Sequence, residues 1–391
     1  MRFAQRAECI TLSQTLVVKK TADELKRQGV DIVDFGPGEP DFPTPTHIKN
    51  AAKEALDQNL TKYTAEVGIP ELRRAIAERY NRELGTSYTP ENVIVTAGAK
   101  QALFNIAAVL LEPGHEVIIP APYWVSYPEQ VRLMGARPLF VETPERDNFQ
   151  LRAQTVERAL TAHTRAVVIN SPNNPTGAMI ERAELEAIVR LAQKYNFYLI
   201  SDECYEYFTY EKQHQSVAAF GGENVMVVSS VSKSYSMTGW RIGWAVAAEP
   251  LIKAMSKVQS HSTSHPASVA QHAALAALQG DQMCLTQMRD EYAKRREFVL
   301  AELATMPHVR CPAPQGAFYV FPNVSAFFGT EIKNSVDFSR FLLQEAHVAV
   351  VPGAAFGAEG YVRLSYATSM AQLAEGLKRL QRVLIRPRAP A

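Results

Sequence analysis

The chain has 391 residues, 47% of them hydrophobic and 21% charged, with a net charge of +1. This is an ordinary globular composition, long enough for more than one core, and its neutral balance gives no electrostatic footprint for nucleic acid or an anionic membrane. No apolar run is long enough to span a bilayer, and the N-terminus, MRFAQRAECITLSQTLVVKK, lacks the apolar centre of a secretory signal.

Residues 16–27 predict a helix and residues 31–34 a short strand. A Gly/Pro-rich stretch follows, GPGEPDFPTP at 36–45, a restricted loop whose glycines let a ligand come close. From about Thr46, helical and strand patterns alternate. PELRRAIAERYNREL (70–84) has proline in its first turn and predicts a helix. NVIVT (92–96) predicts a buried strand, and AGAKQALFNIAAVLL (97–111) a helix opening on a glycine. EVIIP, RAVVIN, FYLISDE and VMVV predict further buried strands, separated by helices such as 182–195. The alternation implies an α/β fold, a mostly parallel sheet covered by helices, running to about residue 280. A long charged helix at 283–303 then leads to GAFYVF, a helix near 336–346, VAVVPG, YVRLSYA and a last helix at 370–383. The expected plan is an N-terminal arm and part of a small domain in 1–45, a large domain in 46–282, and a connecting helix and small C-terminal domain in 283–391. Both chain ends would meet in one small α+β unit.

The chemistry centres on SVSKSYSMTGWRIGW, residues 230–244. Apolar runs on either side place Lys233 near the end of a buried strand, with Arg241 close by. Burial disfavours an ammonium, and a neutral amine attacks a carbonyl to form a Schiff base. Serines and an arginine beside it suit an anion, so the combination suits a phosphorylated aldehyde, pyridoxal phosphate. The same lysine also reads as a surface residue in a polar turn, so the remaining strand ends must decide. In covered α/β sheets, ligands bind beyond the carboxyl ends of the strands. There this chain has SPNNPTG (171–177), DECY (202–205), Gly98, Ala99 and Lys100 at a helix start, and the aromatic pair Tyr123 and Trp124. Each alone reads equally as a turn, a cap or core; all of them at one edge make a crevice. The cysteines Cys9, Cys204, Cys284 and Cys311 form no CxxC pair, and the nine histidines show no metal-ligand spacing. Free thiols in a cytoplasm and no metal site are expected.

NSPNNPTG, SDECY, SVSKSYSMTGWRIGW, GEPDFPTP and YVRLSYATS resemble, in order and over nearly the whole chain, the class I aminotransferases of the fold-type-I pyridoxal-phosphate superfamily. KYTAEVGIPELR, TAGAKQALFN and APYWVSYPEQV are similar to its bacterial aspartate and prephenate subgroup. The resemblance implies that Lys233 is the Schiff-base lysine and proton shuttle. It implies that Asp202 holds the pyridine nitrogen protonated, that Tyr205 and Asn174 hydrogen-bond the ring oxygen, and that Trp124 stacks on the ring. The Gly98 and Ala99 amides, Ser230 and Arg241 would hold the phosphate, with Tyr63 reaching that of a neighbouring subunit. Arg363 would fork onto the substrate α-carboxylate, and Gly38 would let that carboxylate approach. The implied protein is a homodimer with shared active sites that exchanges an amino group between amino acids and 2-oxo acids by ping-pong, aspartate with 2-oxoglutarate first. Aromatic or prephenate transamination is the alternative. A C–S or β-lyase, or an aminotransferase-like sensor domain, stands further off; no basic DNA-binding segment stands before the fold, and Lys233, Asp202 and Arg363 are all present.

One departure bears on specificity. Animal and enteric relatives take the distal carboxylate on an arginine lent by the other subunit, but KVQSHSTSHPASVAQHAA (257–274) contains none. Lys100 is the expected substitute, as in the bacterial subgroup, with Ser13 and Thr15 closing over the same carboxylate. Lys100 also reads as a solvated lysine on the first turn of its helix.

Overall fold

The computed structural model describes residues 3–11 and 14–385, with the backbone alone for 14–19. The apolar runs assemble into one seven-stranded sheet. Its spatial order is Val93–Thr96, Gly243–Val246, Val225–Ser230, Tyr198–Asp202, Thr164–Asn170, Glu116–Ala121 and Arg137–Glu142. Neighbours pair in parallel except Gly243–Val246, which runs antiparallel to both of its own. Both faces are covered, which is why the strands read as continuous apolar runs rather than alternating ones. Successive residues serve opposite faces: Val95, Val167, Leu199 and Val227 join one core, and Ile94, Val168, Ile200 and Val228 the other. Helices Ala99–Leu110, Ser126–Leu133 and Glu249–Ser260 cover the second face through Leu103, Ile106, Val131, Ile252 and Met255. Arg182–Tyr195 covers the first through Leu185, Ile188 and Val189.

Register brings the chemistry to one edge. Asn170 lies opposite Asp202, Asp202 opposite Val228, and Ser230 opposite Gly243, which in turn lies opposite Thr96. Four strand ends thus finish side by side. Two smaller sheets stand apart from this one. Val33–Asp34 pairs in parallel with Val348–Ala349, joining the two ends of the chain. Val351–Pro352, Val362–Ser365 and Tyr319–Val320 form an antiparallel sheet, Val362–Ser365 in the middle. The run VAVVPG therefore serves two sheets. The 22-residue helix Met283–Ala304 holds the Gly/Pro loop through Arg295, whose Nη1 lies 2.8 Å from Asp41 Oδ1. Among the described residues, no helix is long and apolar enough to cross a membrane.

Sequence and structure differ at a few elements. The edge strand Arg137–Glu142 holds only a three-residue apolar stretch, Leu139–Val141, preceded by Pro138 and flanked by the exposed Arg137 and Glu142, so the sequence pattern does not mark it as a strand. The helix expected from residue 97 begins at Ala99, because Gly98 leaves helical space with φ +83°. The helix near 336–346 is an α-helix, Ser335–Phe341, continued as a wider π turn over Leu342–Ala346.

Candidate active site

A cavity of about 360 Å³ opens where the four strand ends meet the small sheets. Lys233 lies on the four-residue helix Val231–Ser234 that follows the fully buried strand Val225–Ser230. The Ser230 hydroxyl caps that helix, accepting from the Ser232 N–H at 3.3 Å. Lys233 Nζ donates to the Gly38 carbonyl at 2.6 Å. Burial pushes its amine down to about 8; Cys204 and Glu39 oppose the shift, and Arg363 and Arg241 reinforce it. The loop at 36–45 and the strand-end lysine, nearly 200 positions apart, thus meet.

Asp202 closes the strand Tyr198–Asp202 and is 6% exposed. It accepts from the Tyr127 hydroxyl at 2.8 Å and the Cys204 N–H at 3.2 Å. Burial raises its pKa and nearby Glu203 adds to the rise, against those hydrogen bonds; none of these neighbours is a cation. A buried acid so placed is completed by a positive group from outside the chain. Asn174 is 5% exposed and is anchored by its N–H on Asn170 Oδ1 at 2.8 Å. The Tyr205 hydroxyl meets that of Tyr319 at 2.8 Å, and burial pushes its pKa far up, so it stays neutral. Trp124 stands edge-on to Tyr127, ring centroids 5.3 Å apart.

Gly98 caps the helix Ala99–Leu110 without a side-chain hydrogen bond. Its own N–H donates to the Thr96 carbonyl at 2.7 Å and that of Gln101 to the Gly98 carbonyl at 3.0 Å, so the helix start offers an anion the amides between them, Ala99 foremost. A Cβ at 98 would come within 2.9 Å of Arg241 Cζ, so glycine is what lets the guanidinium reach the helix start. Arg241, itself at φ +58°, is held by the Thr238 carbonyl at 2.8 Å and the Ala97 carbonyl at 3.3 Å. Helix-start amides, Ser230 and a guanidinium make an anion cradle.

Arg363, on Val362–Ser365, is 2% exposed. Its Nη1 donates to Asn174 Oδ1 at 3.0 Å and its Nη2 to the Gly36 carbonyl at 2.6 Å, while its buried Nε has no partner. Burial lowers its pKa, with Tyr319 and Tyr205 opposing. Among the described residues it forms no ion pair, so an incoming carboxylate meets a desolvated, waiting fork. Gly38 keeps the approach open: a Cβ there would lie 2.9 Å from the Tyr319 hydroxyl and 3.8 Å from Arg363 Nη1. Lys100, exposed at the rim, sets its ammonium 4.9 Å from the Trp124 ring centroid; burial of its tip and Arg241 lower its pKa.

The residues singled out from sequence line this cavity except Gly98, which borders it through Arg241, Tyr63, and Tyr123, whose ring stacks on Phe140 instead with centroids 4.8 Å apart. Tyr63 is 92% exposed and sits edge-on to His265. Ser13 and the Thr15 side chain lie outside the described residues. Sequence reasoning missed Tyr127 and Tyr319. Tyr127 had a signal, three residues after Trp124 at a helix start; Tyr319 had none beyond membership of a strand.

The acid without a cation, the anion cradle and the low-pKa amine between them fit the ring nitrogen, phosphate and aldehyde of one molecule. With the sheet order, they define a pyridoxal-phosphate enzyme of fold type I. The chain belongs to the aminotransferases of class I and II, whose family model matches residues 30–380. It is 44% identical to aspartate aminotransferase of Bacillus subtilis, over 98% of each chain. It is 46% identical to aspartate/prephenate aminotransferase of Thermus thermophilus, again over 98% of each. A structure of Thermus thermophilus aspartate aminotransferase with maleate superposes with a TM-score of 0.94 at 46% identity, over 98% of this chain and all of that one. The enzyme is thus a pyridoxal-phosphate-dependent transaminase, moving amino groups between amino acids and 2-oxo acids.

Proposed function

We propose that the chain exchanges the amino group between aspartate and 2-oxoglutarate in two half-reactions. The observation that carries this reading is that, beyond Lys233 and the cradle's Arg241, two further cations line the cavity, Arg363 with its free Nε and Lys100 at the rim. Two cations match two carboxylates, and the relatives named as aspartate aminotransferases support the match. Pyridoxal phosphate, when bound, supplies a sink for the electrons left at the substrate α-carbon. Around it, Asp202 balances the ring nitrogen, Tyr205 and Asn174 donate to the ring oxygen, and Trp124 covers the ring. The Ala99 amide, Ser230 and Arg241 would hold the phosphate, and Gly98, whose N–H is taken by the Thr96 carbonyl, would serve by leaving room for Arg241. Arg363 and the Gly38 backbone orient the α-carboxylate. Lys233 Nζ would take the proton from the substrate α-carbon and deliver it to the cofactor's aldehyde carbon, and carry a proton the opposite way in the second half-reaction.

Initial rates with a panel of amino donors against 2-oxoglutarate test the assignment. Aspartate and glutamate should lead; a panel led by apolar donors, with aspartate at background, would overturn it. A second reading, aromatic or prephenate-like substrates beside aspartate, is favoured by the Lys100 ammonium resting on an aromatic face. A flexible ammonium swings away from a ring more readily than a guanidinium fork, and a relative is named aspartate/prephenate aminotransferase.

The same reading includes a homodimer whose partner lends Tyr63 to the phosphate, supported by the exposure of Tyr63, Leu56 and Leu60. It includes a small unit made from 1–45 and 283–391 around a large one of 46–282, supported by the pairing of Val33–Asp34 with Val348–Ala349. It places the enzyme in the cytoplasm, supported by four cysteines that form no disulfide.

A further inference from the structure

Tyr319 is fully buried, lines the cavity and touches three parts of the site. Its hydroxyl lies 2.8 Å from that of Tyr205. Its ring carries the Arg363 guanidinium, Cζ 4.4 Å from the centroid. The space that a Cβ at Gly38 would need lies 2.9 Å from its hydroxyl. Sheet register sets this up. Tyr319 lies opposite Ser365, two residues past Arg363, so tyrosine and arginine are diagonal neighbours on one face.

We infer that Tyr319 is a positioning residue that couples the substrate-binding arginine to the hydroxyl facing the cofactor's ring oxygen. The inference rests on the placement of Tyr205 against that oxygen. A phenol has one proton to give. If Tyr205 gives its own to the ring oxygen, its oxygen must accept the proton of Tyr319. A hydroxyl that accepts a hydrogen bond becomes a better donor, because the two bonds polarise one another. The groups facing the Tyr205 hydroxyl are Tyr319, Arg363 and Cys204. Around Lys233 they are Cys204, Glu39, Arg363 and Arg241. Of these, the Tyr319 hydroxyl lies at hydrogen-bond distance from that of Tyr205, 2.8 Å, where either oxygen can donate. The ring has a separate task. Its electron-rich face holds the guanidinium plane in a dry site where the Arg363 Nε has no partner.

Two variants separate the two tasks. Tyr319→Phe keeps the ring and removes the hydroxyl; Tyr319→Leu removes both. In the holoenzyme, the pH midpoint of the bound-cofactor absorption band is read by spectrophotometric titration, and the Kd of maleate, a non-reacting dicarboxylate, is read from the same band. A weaker hydrogen bond leaves more negative charge on the ring oxygen and raises the proton affinity of the linked Lys233 nitrogen. Tyr319→Phe should therefore raise the midpoint by about half a pH unit, with maleate affinity within about twofold of wild type. Tyr319→Leu should raise it as much and weaken maleate about three- to tenfold more. A midpoint unchanged in Tyr319→Phe overturns the coupling, and so does maleate binding lost equally in both variants. A wild-type band that does not change with pH overturns the Tyr205 placement and the inference with it, which tells the two failures apart.

Discussion

Lys233 titrates near 8 rather than in the ordinary lysine range, chiefly because it is buried. The sign follows from the shift. Below about pH 8 the ammonium dominates, and the neutral amine falls about tenfold with each further unit of acidity. In the cofactor-free protein, carbamylation of Lys233 by cyanate, read by peptide mass spectrometry, should rise with pH and level off above about 8. Surface lysines should go on rising toward their usual range, and parallel profiles would remove burial as the cause. Lys100 carries the second prediction at this scale. A charge-assisted hydrogen bond contributes about 1.5–3 kcal/mol, so Lys100→Ala should lower kcat/KM for aspartate about 10- to 100-fold. An apolar donor should be nearly unaffected; an equal loss for all donors would make Lys100 a structural or phosphate-side residue. Residues such as Lys233, Asp202 and Asn174 were legible in the sequence as candidates because each ends or follows an apolar run; alone each reads as a turn or a cap, and it is their number at one sheet edge that points to a crevice. Tyr319 was not legible. It sits inside a short apolar strand, and its hydroxyl partner Tyr205 is 114 positions away.

The helix Ala99–Leu110 shows how one backbone position serves both fold and site. Gly98 has φ +83° and ψ 161°, a region in which a side chain is strained. Gly98→Ala should cost about 1–3 kcal/mol of stability in urea unfolding. It should also weaken cofactor retention on dialysis, because the added Cβ meets the guanidinium of Arg241. A variant with wild-type stability and retention would remove Gly98 from the cradle. Helix boundaries were legible where caps announce them. Pro70 opens its helix at the first turn, and left-handed Gly85 and Asn196 close the helices Pro70–Leu84 and Arg182–Tyr195. Arg137–Glu142 was not legible, since its apolar stretch is three residues long and follows Pro138, which demotes a run to an edge strand or no strand. The short strand expected at 31–34 is present as Val33–Asp34, but its parallel partner Val348–Ala349 is too distant for any local pattern to name.

For the whole molecule, Tyr63 at 92% exposure carries the expectation of a dimer. Sedimentation at assay concentration should give two chains per particle, and a fully active monomer would contradict the shared site. Hybrids sharpen the test. Mixing Lys233→Ala with Tyr63→Ala subunits should restore activity at the one site that keeps both wild-type residues, and additive rates would speak against sharing. At this scale local pattern reached far. Alternating strands and helices, with polar groups at the strand ends, led to an α/β fold and to pyridoxal-phosphate chemistry, because both are written in short-range periodicity and residue type. Strand order lay beyond that pattern. The antiparallel Gly243–Val246 enters between Val93–Thr96 and Val225–Ser230, setting Gly243 beneath the start of the helix Ala99–Leu110. Likewise, only folding seats Lys233 against Gly38, pairs Val33–Asp34 with Val348–Ala349 and lays Arg363 on Tyr319. These contacts depend on which distant segments bury each other's surface, and no stretch of sequence short enough to show a period records that.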